Sequence, residues 1–261
     1  MSADAEQAGR QGHPVRDGTP VVLITGASGR IGRSLAVAWY RRGCRVAAQG
    51  RNRGRMKETA KQCRQTAQDG SLRDGFLPLL GDLTEADTAA GLVETTVQRW
   101  GRIDLVVACA GVFPAVPLAE LEPEEWSAVL ESNLSATARL VRAAVPVLER
   151  HGGTILFVGS EPVTRPVARP DREAYYASKG GVVGLARGLR ASLAEWGVDT
   201  LVVHPGWTVS EDQQHDRSAQ LAAGEFAEAT VHLVEASRMV TLGEVTVTPR
   251  RTRSEPLTGS S

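Results

Sequence analysis

A tyrosine and a lysine four positions apart give this sequence its clearest chemical signal. Tyr175 and Lys179 lie within a helical pattern, where such a spacing places two side chains on one face. An ammonium group beside a phenol stabilises the phenolate and lowers the tyrosine pKa from about 10. We therefore predict a phenol that donates a proton to a carbonyl oxygen near neutral pH. Ser160 closes a predicted strand, and its hydroxyl is placed to hydrogen-bond the same oxygen.

A glycine-rich turn between the first predicted strand and helix indicates a phosphate site. Glycines there let the chain turn sharply and let the backbone approach a pyrophosphate, and the helix N-terminus offers free N–H groups. Because the turn joins a strand to a helix in the first βαβ unit, its context favours a bound dinucleotide over an empty turn. The candidate contacts in this turn are Gly26, Ser28, Gly29, Arg30, Ile31 and Gly32.

The residues after the second predicted strand favour NADP(H). Dinucleotide folds that prefer NAD usually carry an acid about 20 residues after the turn, but residues 44–55 contain no acid. A guanidinium chelates a 2′-phosphate that a carboxylate would repel. Arg51, at the end of the strand, is the first candidate for this contact with the 2′-phosphate, and Arg30 is the second. Arg53 and Arg55 are more simply interpreted as solvent-exposed residues at the start of a helix.

The elements that position these groups follow from the hydropathy pattern. Short β-branched runs alternate with longer helical patterns, which predicts a parallel sheet covered by helices on both faces. The predicted strands are Val21–Thr25, Arg45–Gln49, Phe76–Leu80, Ile103–Ala108, Thr154–Gly159, Thr200–His204 and Glu244–Thr248. The predicted helices are Arg30–Arg42, Arg53–Thr66, Glu85–Trp100, Pro123–Glu149, Glu173–Trp196 and Glu225–Glu235. We expect a single α/β domain of the Rossmann type, a doubly wound parallel sheet of about seven strands, over residues 19–249. Residues 1–18 and 250–261 are predicted to be flexible tails.

Composition excludes several classes of protein. With 30 basic and 30 acidic residues the net charge is zero, which argues against a nucleic-acid partner. Three cysteines without C-x-x-C spacing and five scattered histidines argue against a metal site. There is no apolar run of membrane-spanning length and no signal-peptide pattern, so we expect a cytoplasmic protein without a membrane partner.

In order and spacing, these motifs resemble those of the single-domain short-chain dehydrogenases/reductases, over roughly residues 20 to 248. Further segments that carry the resemblance are Asp82-Leu83, Ala108-Cys109-Ala110-Gly111, Asn133 and Pro205-Gly206. The resemblance implies a catalytic tetrad in which Tyr175 is the acid/base and Ser160 holds the substrate oxygen. Lys179 would bind the nicotinamide ribose, and Asn133 would hold a water of a proton relay behind it. The resemblance also assigns further residues to the cofactor, namely Asp82 and Leu83 at the adenine, Ala110 and Gly111 along the cleft, and Pro205, Gly206 and Thr208 near the carboxamide.

The sequence departs from the family pattern in four places. Arg30 stands where the glycine turn usually has Gly, and Ala108-Cys109 replaces the usual Asn-Asn. Ser160 precedes Tyr175 by 15 residues, about two more than is usual, so either the intervening loop is longer or the serine role is displaced. The chain ends its last strand with Thr248-Pro249-Arg250, which puts the usual tetramer contacts in doubt.

We accordingly expect NADPH-dependent reduction of a ketone to a secondary alcohol. The small-molecule carbonyl substrate would be bulky, cyclic or of polyketide type, and Trp207 either stacks on it or packs beneath a loop. One alternative is a catalytically silent NADP-binding sensor, and another is a non-redox lyase or epimerase, whose branch of the family has a similar glycine spacing. The resemblance further implies a homodimer through helices 123–149 and 173–196, or a homotetramer.

Overall fold

A parallel sheet of seven strands forms the centre of the protein. The computed structural model describes residues 18–66, 74–164, 171–209, 220–237 and 239–250. The strands are β1 (Val21–Ile24), β2 (Arg45–Gly50), β3 (Phe76–Leu80), β4 (Leu105–Ala108), β5 (Gly153–Val158), β6 (Val198–Pro205), β7 (Thr208–Val209), β8 (Leu221–Ala222) and β9 (Glu244–Val247). The order across the sheet is β3-β2-β1-β4-β5-β6-β9, and β7 and β8 pair separately. The expected doubly wound Rossmann-type sheet is confirmed.

Helices cover both faces of the sheet. They are α1 (Arg30–Arg41), α2 (Arg53–Thr66), α3 (Thr88–Trp100), α4 (Pro123–Leu130), α5 (Ala136–Leu148), α6 (Glu173–Leu193) and α7 (Ala223–Ser237). In β1, Val22 and Ile24 join the apolar cluster formed with α1, α2 and α7. Val21 and Leu23 join the cluster with α3, α5 and α6. Successive side chains of a strand point to opposite faces, so a strand covered on both sides is apolar throughout.

The two longest predicted helices are each interrupted. Between α4 and α5 the chain makes a π-helical segment, Glu131–Ser135, and α6 ends in a 3₁₀ turn, Ala194–Trp196. The third helix begins at Thr88 rather than at Glu85, because the preceding residues form a turn in which the Glu85 N–H donates to the Asp82 carbonyl. Apolar periodicity does not distinguish a single π turn from an α turn, since the wider i→i+5 turn shifts the pattern by only one residue.

The ends of the chain add no described element. The predicted tails, 1–18 and 250–261, lie outside the described residues except for Gly18 and Arg250. Among the described helices, none has both the length and the apolar character that a membrane span requires.

Candidate active site

A cleft of about 360 Å³ opens along the C-terminal ends of the central strands. In a doubly wound sheet this edge is where ligands bind, because the strand order reverses there. The cleft contains most of the predicted cofactor contacts. These are Gly26, Ser28, Gly29, Arg30, Ile31, Gly32, Arg51, Asp82, Leu83, Ala110, Gly111, Tyr175, Lys179, Pro205 and Thr208. Asn133, Ser160, Gly206 and Trp207 are not among its lining residues, and their places are described below.

The glycine turn is held close to its neighbours at two points. Gly26 has a φ of +71°, and a Cβ there would lie 2.8 Å from the Cα of Ala110. A Cβ on Gly32 would lie 2.4 Å from the Gly26 carbonyl oxygen. Both positions therefore require glycine. The N-cap of α1, Gly29, has no side-chain capping bond and the first turn contains no acid, so its N–H groups remain available to an anion.

Three arginines, near the starts of α1 and α2 and just after β2, line the cleft. Arg30 and Arg51 were predicted, whereas Arg55, assigned from the sequence to a solvated helix start, lines the cleft as well. Arg51 Nη1 lies 3.1 Å from Asp82 Oδ2. A hydrogen bond from the Thr84 backbone N–H holds the pKa of Asp82 below its ordinary value, and Arg51 lowers it further. The free α1 N–H groups and the three guanidinium groups fit the phosphates of a dinucleotide, including a 2′-phosphate.

The structure brings Ser160, Tyr175 and Lys179 together at the other end of the cleft. Ser160 follows β5 and is 7% exposed, and its side chain lies close enough to the Tyr175 phenol to lower the pKa of that tyrosine. Lys179 Nζ donates to the Val158 carbonyl at 2.8 Å and lies 5.9 Å from the centre of the Tyr175 ring. Ser160 therefore lies beside Tyr175 despite the 15-residue spacing, and residues 165–170 between them are outside the described residues.

The sequence predicted that Lys179 lowers the pKa of Tyr175. For the protein without a ligand this direction is wrong. Burial raises the pKa of Tyr175 to about 12, and the Ser160 hydrogen bond opposes this only in part. Burial also lowers the pKa of Lys179, whose ammonium is directed to the Val158 carbonyl rather than to the phenol oxygen. Desolvation disfavours the charged form of each group, and it is the largest cause of both shifts.

Asn133 has a structural role that the sequence did not indicate. It lies in the π-helical segment, is fully buried, and its Oδ1 accepts from the Val112 N–H at 2.7 Å. Its Nδ2 donates to the Val112 carbonyl at 3.0 Å and to Ser178 Oγ at 2.9 Å. The side chain thus fixes the strand-end segment after β4, and among the described residues its hydrogen-bond partners are Val112 and Ser178 rather than Lys179. Its predicted role in a water relay stays a prediction.

Aromatic side chains surround the reactive end of the cleft. The Phe113 ring packs edge-on against Tyr175, with centroids 4.5 Å apart, and lies 6.2 Å from the Trp207 ring. Arg172 covers the Phe113 ring at 4.5 Å from its centroid. Phe113 remains 47% exposed. Trp207 is therefore part of an aromatic wall beside the candidate proton donor, and Gly206, which precedes it, donates its N–H to the Val247 carbonyl.

Sequence reasoning missed several residues of the site. Gln49, Thr84, Cys109 and Phe113 all line the cleft. Gln49 could have been found, because it is a polar residue inside an apolar strand; it is 2% exposed in the structure. Burial raises the pKa of Cys109 to about 11, so its thiol stays neutral beside Lys179. No cluster of metal-ligating side chains occurs among the described residues.

Comparison with known proteins places this geometry in a family. The chain is 29% identical over 233 residues to an uncharacterized oxidoreductase of Staphylococcus saprophyticus, covering 88% of this chain and 97% of that one. It is 33% identical over 192 residues to D-threitol dehydrogenase of Mycolicibacterium smegmatis, covering 73% and 71%. The structure of actinorhodin polyketide ketoreductase with NADPH superposes with a TM-score of 0.78 at 25% identity, covering 91% of this chain and 98% of that one. The profile of the short chain dehydrogenase family matches residues 20–221, and the chain belongs to that family of oxidoreductases.

Proposed function

We propose that this protein reduces a ketone to a secondary alcohol with NADPH as the reductant. The observation that carries the proposal is the meeting of Ser160, Tyr175 and Lys179 at the end of a cleft whose other end has the glycine turn and three arginines. Bound NADPH supplies the hydride. The chain's own residues orient the carbonyl and deliver the proton.

Each residue of this group has a distinct part. The Ser160 hydroxyl hydrogen-bonds the carbonyl oxygen of the substrate, and the Tyr175 phenol gives that oxygen its proton as negative charge develops. A tyrosine pKa of about 12 keeps the phenol protonated at neutral pH, which is the form that reduction requires. Lys179, held by the Val158 carbonyl, binds the nicotinamide ribose and carries the positive charge that assists the phenol once the site is filled. Asn133 fixes the segment after β4 through Val112, a lining residue of the cleft that would hold the cofactor.

NADP(H) is the proposed cofactor because of the charges at the adenine-ribose end. Arg30, Arg51 and Arg55 converge there, and the nearest carboxylate in the cleft, Asp82, is already bound by Arg51 and Thr84. A 2′-phosphate would find guanidinium donors without meeting an unpaired acid. The backbone N–H groups at the start of α1 would hold the pyrophosphate.

The proposed substrate is a bulky ketone with a flat apolar body. Phe113 and Tyr175 line the cleft and Trp207 packs against Phe113, and rings of this kind bind flat apolar groups by stacking. The likeness to a polyketide ketoreductase supports a cyclic or polyketide-type carbonyl. A series of ketones from small aliphatic to fused-ring compounds tests this, with kcat/KM expected to rise with ring size. A preference for the small aliphatic members would contradict it.

The decisive experiment is NADPH oxidation with that ketone series, for the wild-type protein and for Tyr175→Phe. We expect turnover by wild type, a loss of about 100-fold or more in Tyr175→Phe, and NADPH affinity that changes little between them. If both proteins bind NADPH and both are inert with every ketone, the protein is better described as a cofactor sensor. If Tyr175→Phe is as active as wild type, another proton donor operates.

We also propose a homodimer through α5 and α6, or a homotetramer that contains this contact. Gly180, Gly184 and Gly188 recur every four residues along α6, and each has open space where a Cβ would stand. A helix of a second copy could approach closely there. Sedimentation velocity should show a dimer or tetramer that Gly184→Trp dissociates, while Gly91→Trp on α3, equally open, leaves it intact. A wild-type monomer would contradict the proposal.

A further inference from the structure

One buried histidine contacts the backbone of the candidate catalytic serine. His204 lies near the end of β6 and is 0% exposed. Its Nδ1 is 3.1 Å from the Ser160 backbone nitrogen and 3.0 Å from the Ser160 carbonyl oxygen. A Cβ on Gly159 would lie only 2.4 Å from this nitrogen, so glycine is what admits the ring. The imidazole therefore packs directly behind the point where β5 delivers Ser160 to the site.

The second ring nitrogen faces an acid. His204 Nε2 has no hydrogen-bond partner among the described residues, and Glu244 Oε2 of β9 stands 3.6 Å away. A neutral imidazole carries its hydrogen on one nitrogen only. With the hydrogen on Nε2, that N–H faces the carboxylate and the Nδ1 lone pair accepts the Ser160 N–H. The other tautomer would donate from Nδ1 to the Ser160 carbonyl, but it would leave the Ser160 N–H without this acceptor and turn a bare lone pair of Nε2 toward the carboxylate.

Three parts of the chain pack charged or polar groups around the ring. Glu244 on β9 is bound by the Arg187 guanidinium of α6, with Nε 2.7 Å from Oε1 and Nη2 3.3 Å from Oε2. Lys179, also on α6, adds positive charge on the side of the cleft. Ser160, after β5, presents only its backbone groups to the ring. Burial lowers the pKa of His204 more than the hydrogen bond to the Ser160 backbone and the Glu244 carboxylate raise it, so the ring is neutral at neutral pH.

We infer that His204 is a positioning residue: its neutral Nε2–H form accepts the Ser160 N–H and thereby aims the Ser160 hydroxyl at Tyr175 and at the substrate oxygen. This inference rests on the proposed function, because it assigns Ser160 a part in the reduction. Protonation would convert Nδ1 from an acceptor into a donor that pairs with the Ser160 carbonyl and leaves the Ser160 N–H unbonded. Acid should therefore reduce turnover through Ser160.

Two substitutions separate hydrogen bonding from packing. His204→Leu keeps much of the volume and removes the acceptor, whereas His204→Asn leaves a gap but places an amide oxygen where Nδ1 stood. We expect kcat to fall about 10- to 100-fold in His204→Leu, with KM nearly unchanged, and to be largely restored in His204→Asn. The fall of kcat at low pH should disappear in His204→Asn, because an amide does not titrate. If Leu is tolerated as well as Asn, or if the fall of kcat at low pH persists in His204→Asn, the inference is wrong.

A double-mutant cycle tests whether the histidine acts through the serine. In a Ser160→Ala background, His204→Leu should change kcat by less than about twofold, since the group it positions is gone. An equal loss in both backgrounds would overturn the inference. Retained NADPH binding shows that each variant is folded. If His204→Leu does not bind NADPH, the inference is tested instead by the activity of His204→Asn and by the ¹⁵N measurement of the tautomer described next.

The tautomer is measurable without any substrate. Histidine labelled with ¹⁵N, assigned by comparison with His204→Asn, should show Nδ1 as an unprotonated acceptor and Nε2 as protonated in the wild-type protein with NADPH bound. A protonated Nδ1 at neutral pH overturns the inference whatever the activity. If the tautomer is as expected but every ketone is inert, it is the proposed function that fails. If ketones are reduced and the cycle is additive, the positioning role fails and the function stands.

Discussion

The backbone N–H of Gly26 donates a 3.0 Å hydrogen bond to Gln49 Oε1, which joins the glycine turn to the second strand of the sheet. The same amide donates from Nε2 to the Gly81 carbonyl at 2.7 Å, at the end of the third strand. One buried side chain therefore connects three strand ends beneath the candidate dinucleotide site. Because the turn depends on this contact, Gln49 sets the position of the N–H groups that would bind pyrophosphate.

Replacing this amide by an apolar side chain of similar size should damage both stability and cofactor binding. In Gln49→Leu the Gly26 N–H and the Gly81 carbonyl lose their hydrogen-bond partner. This should lower the free energy of unfolding by about 2–4 kcal/mol and weaken the binding of NADPH. Denaturant unfolding and calorimetric titration measure these effects. Gln98→Leu is the matched control, because Gln98 is exposed and bonds only Glu94 in its own helix; a similar loss there would refute the explanation.

Charge reversal at Arg51 should discriminate between the two nicotinamide dinucleotides. Arg51→Asp removes a guanidinium from the adenine-ribose end and places a second carboxylate beside Asp82. We expect NADPH affinity to fall by about 1–3 kcal/mol and NADH affinity to change little, measured by fluorescence titration of each. Arg53→Asp, at the start of α2 and outside the cleft, controls for the general effect of charge. Equal weakening of both dinucleotides would contradict the NADP assignment.

The tyrosine of the candidate site should resist ionisation in the protein alone. With a pKa of about 12 it remains a phenol where a free tyrosine, with a pKa near 10, is half ionised. The near-ultraviolet titration difference between wild type and Tyr175→Phe should therefore show no phenolate near pH 10. If Tyr175 instead ionises near pH 10, as free tyrosine does, burial does not control its pKa.

The same shift predicts the sign of a stability effect. Between the unfolded pKa of about 10 and the folded value of about 12 the native state holds the proton that the unfolded state has lost. The contribution of Tyr175 to the free energy of unfolding is therefore fully present below about pH 10 and is lost as the pH rises from about 10 to about 12. Tyr175→Phe should show a shallower loss of unfolding free energy than wild type over the same range. A steeper loss would reverse the assigned direction.

Removing the amide of Asn133 should cost more stability than removing an exposed one. Asn133→Ala leaves the N–H and carbonyl of Val112 without their buried partner, which should lower the free energy of unfolding by about 2–4 kcal/mol. Asn52→Ala loses one exposed bond to the Arg55 N–H, worth about 1 kcal/mol as a helix cap. Equilibrium unfolding compares them, and equal costs would show that the Val112 segment is held by other contacts.

Local features of the fold were well predicted from the sequence because they depend on neighbours along the chain. The turn at Gly26 follows from glycine spacing, and the shared face of Tyr175 and Lys179 follows from helical geometry. The continuous apolar strands predict a sheet that is covered on both faces. Val21–Ile24 is an example, because its alternate residues belong to the two hydrophobic clusters on opposite faces. The π-helical segment around Asn133 was missed, because it depends on contacts with Val112 and Ser178 from distant parts of the chain.

The sequence by itself determined the sheet, the glycine turn and the identity of the acid–base candidates, since these follow from short-range periodicity and residue type. The tertiary structure alone decided that Ser160 reaches Tyr175, that Arg55 joins the arginines of the cleft, and that His204 stands behind the serine. It also reversed the expected tyrosine pKa. Burial and contacts between distant segments set all four, because desolvation and hydrogen bonding depend on what surrounds a group in space rather than on its neighbours in the chain.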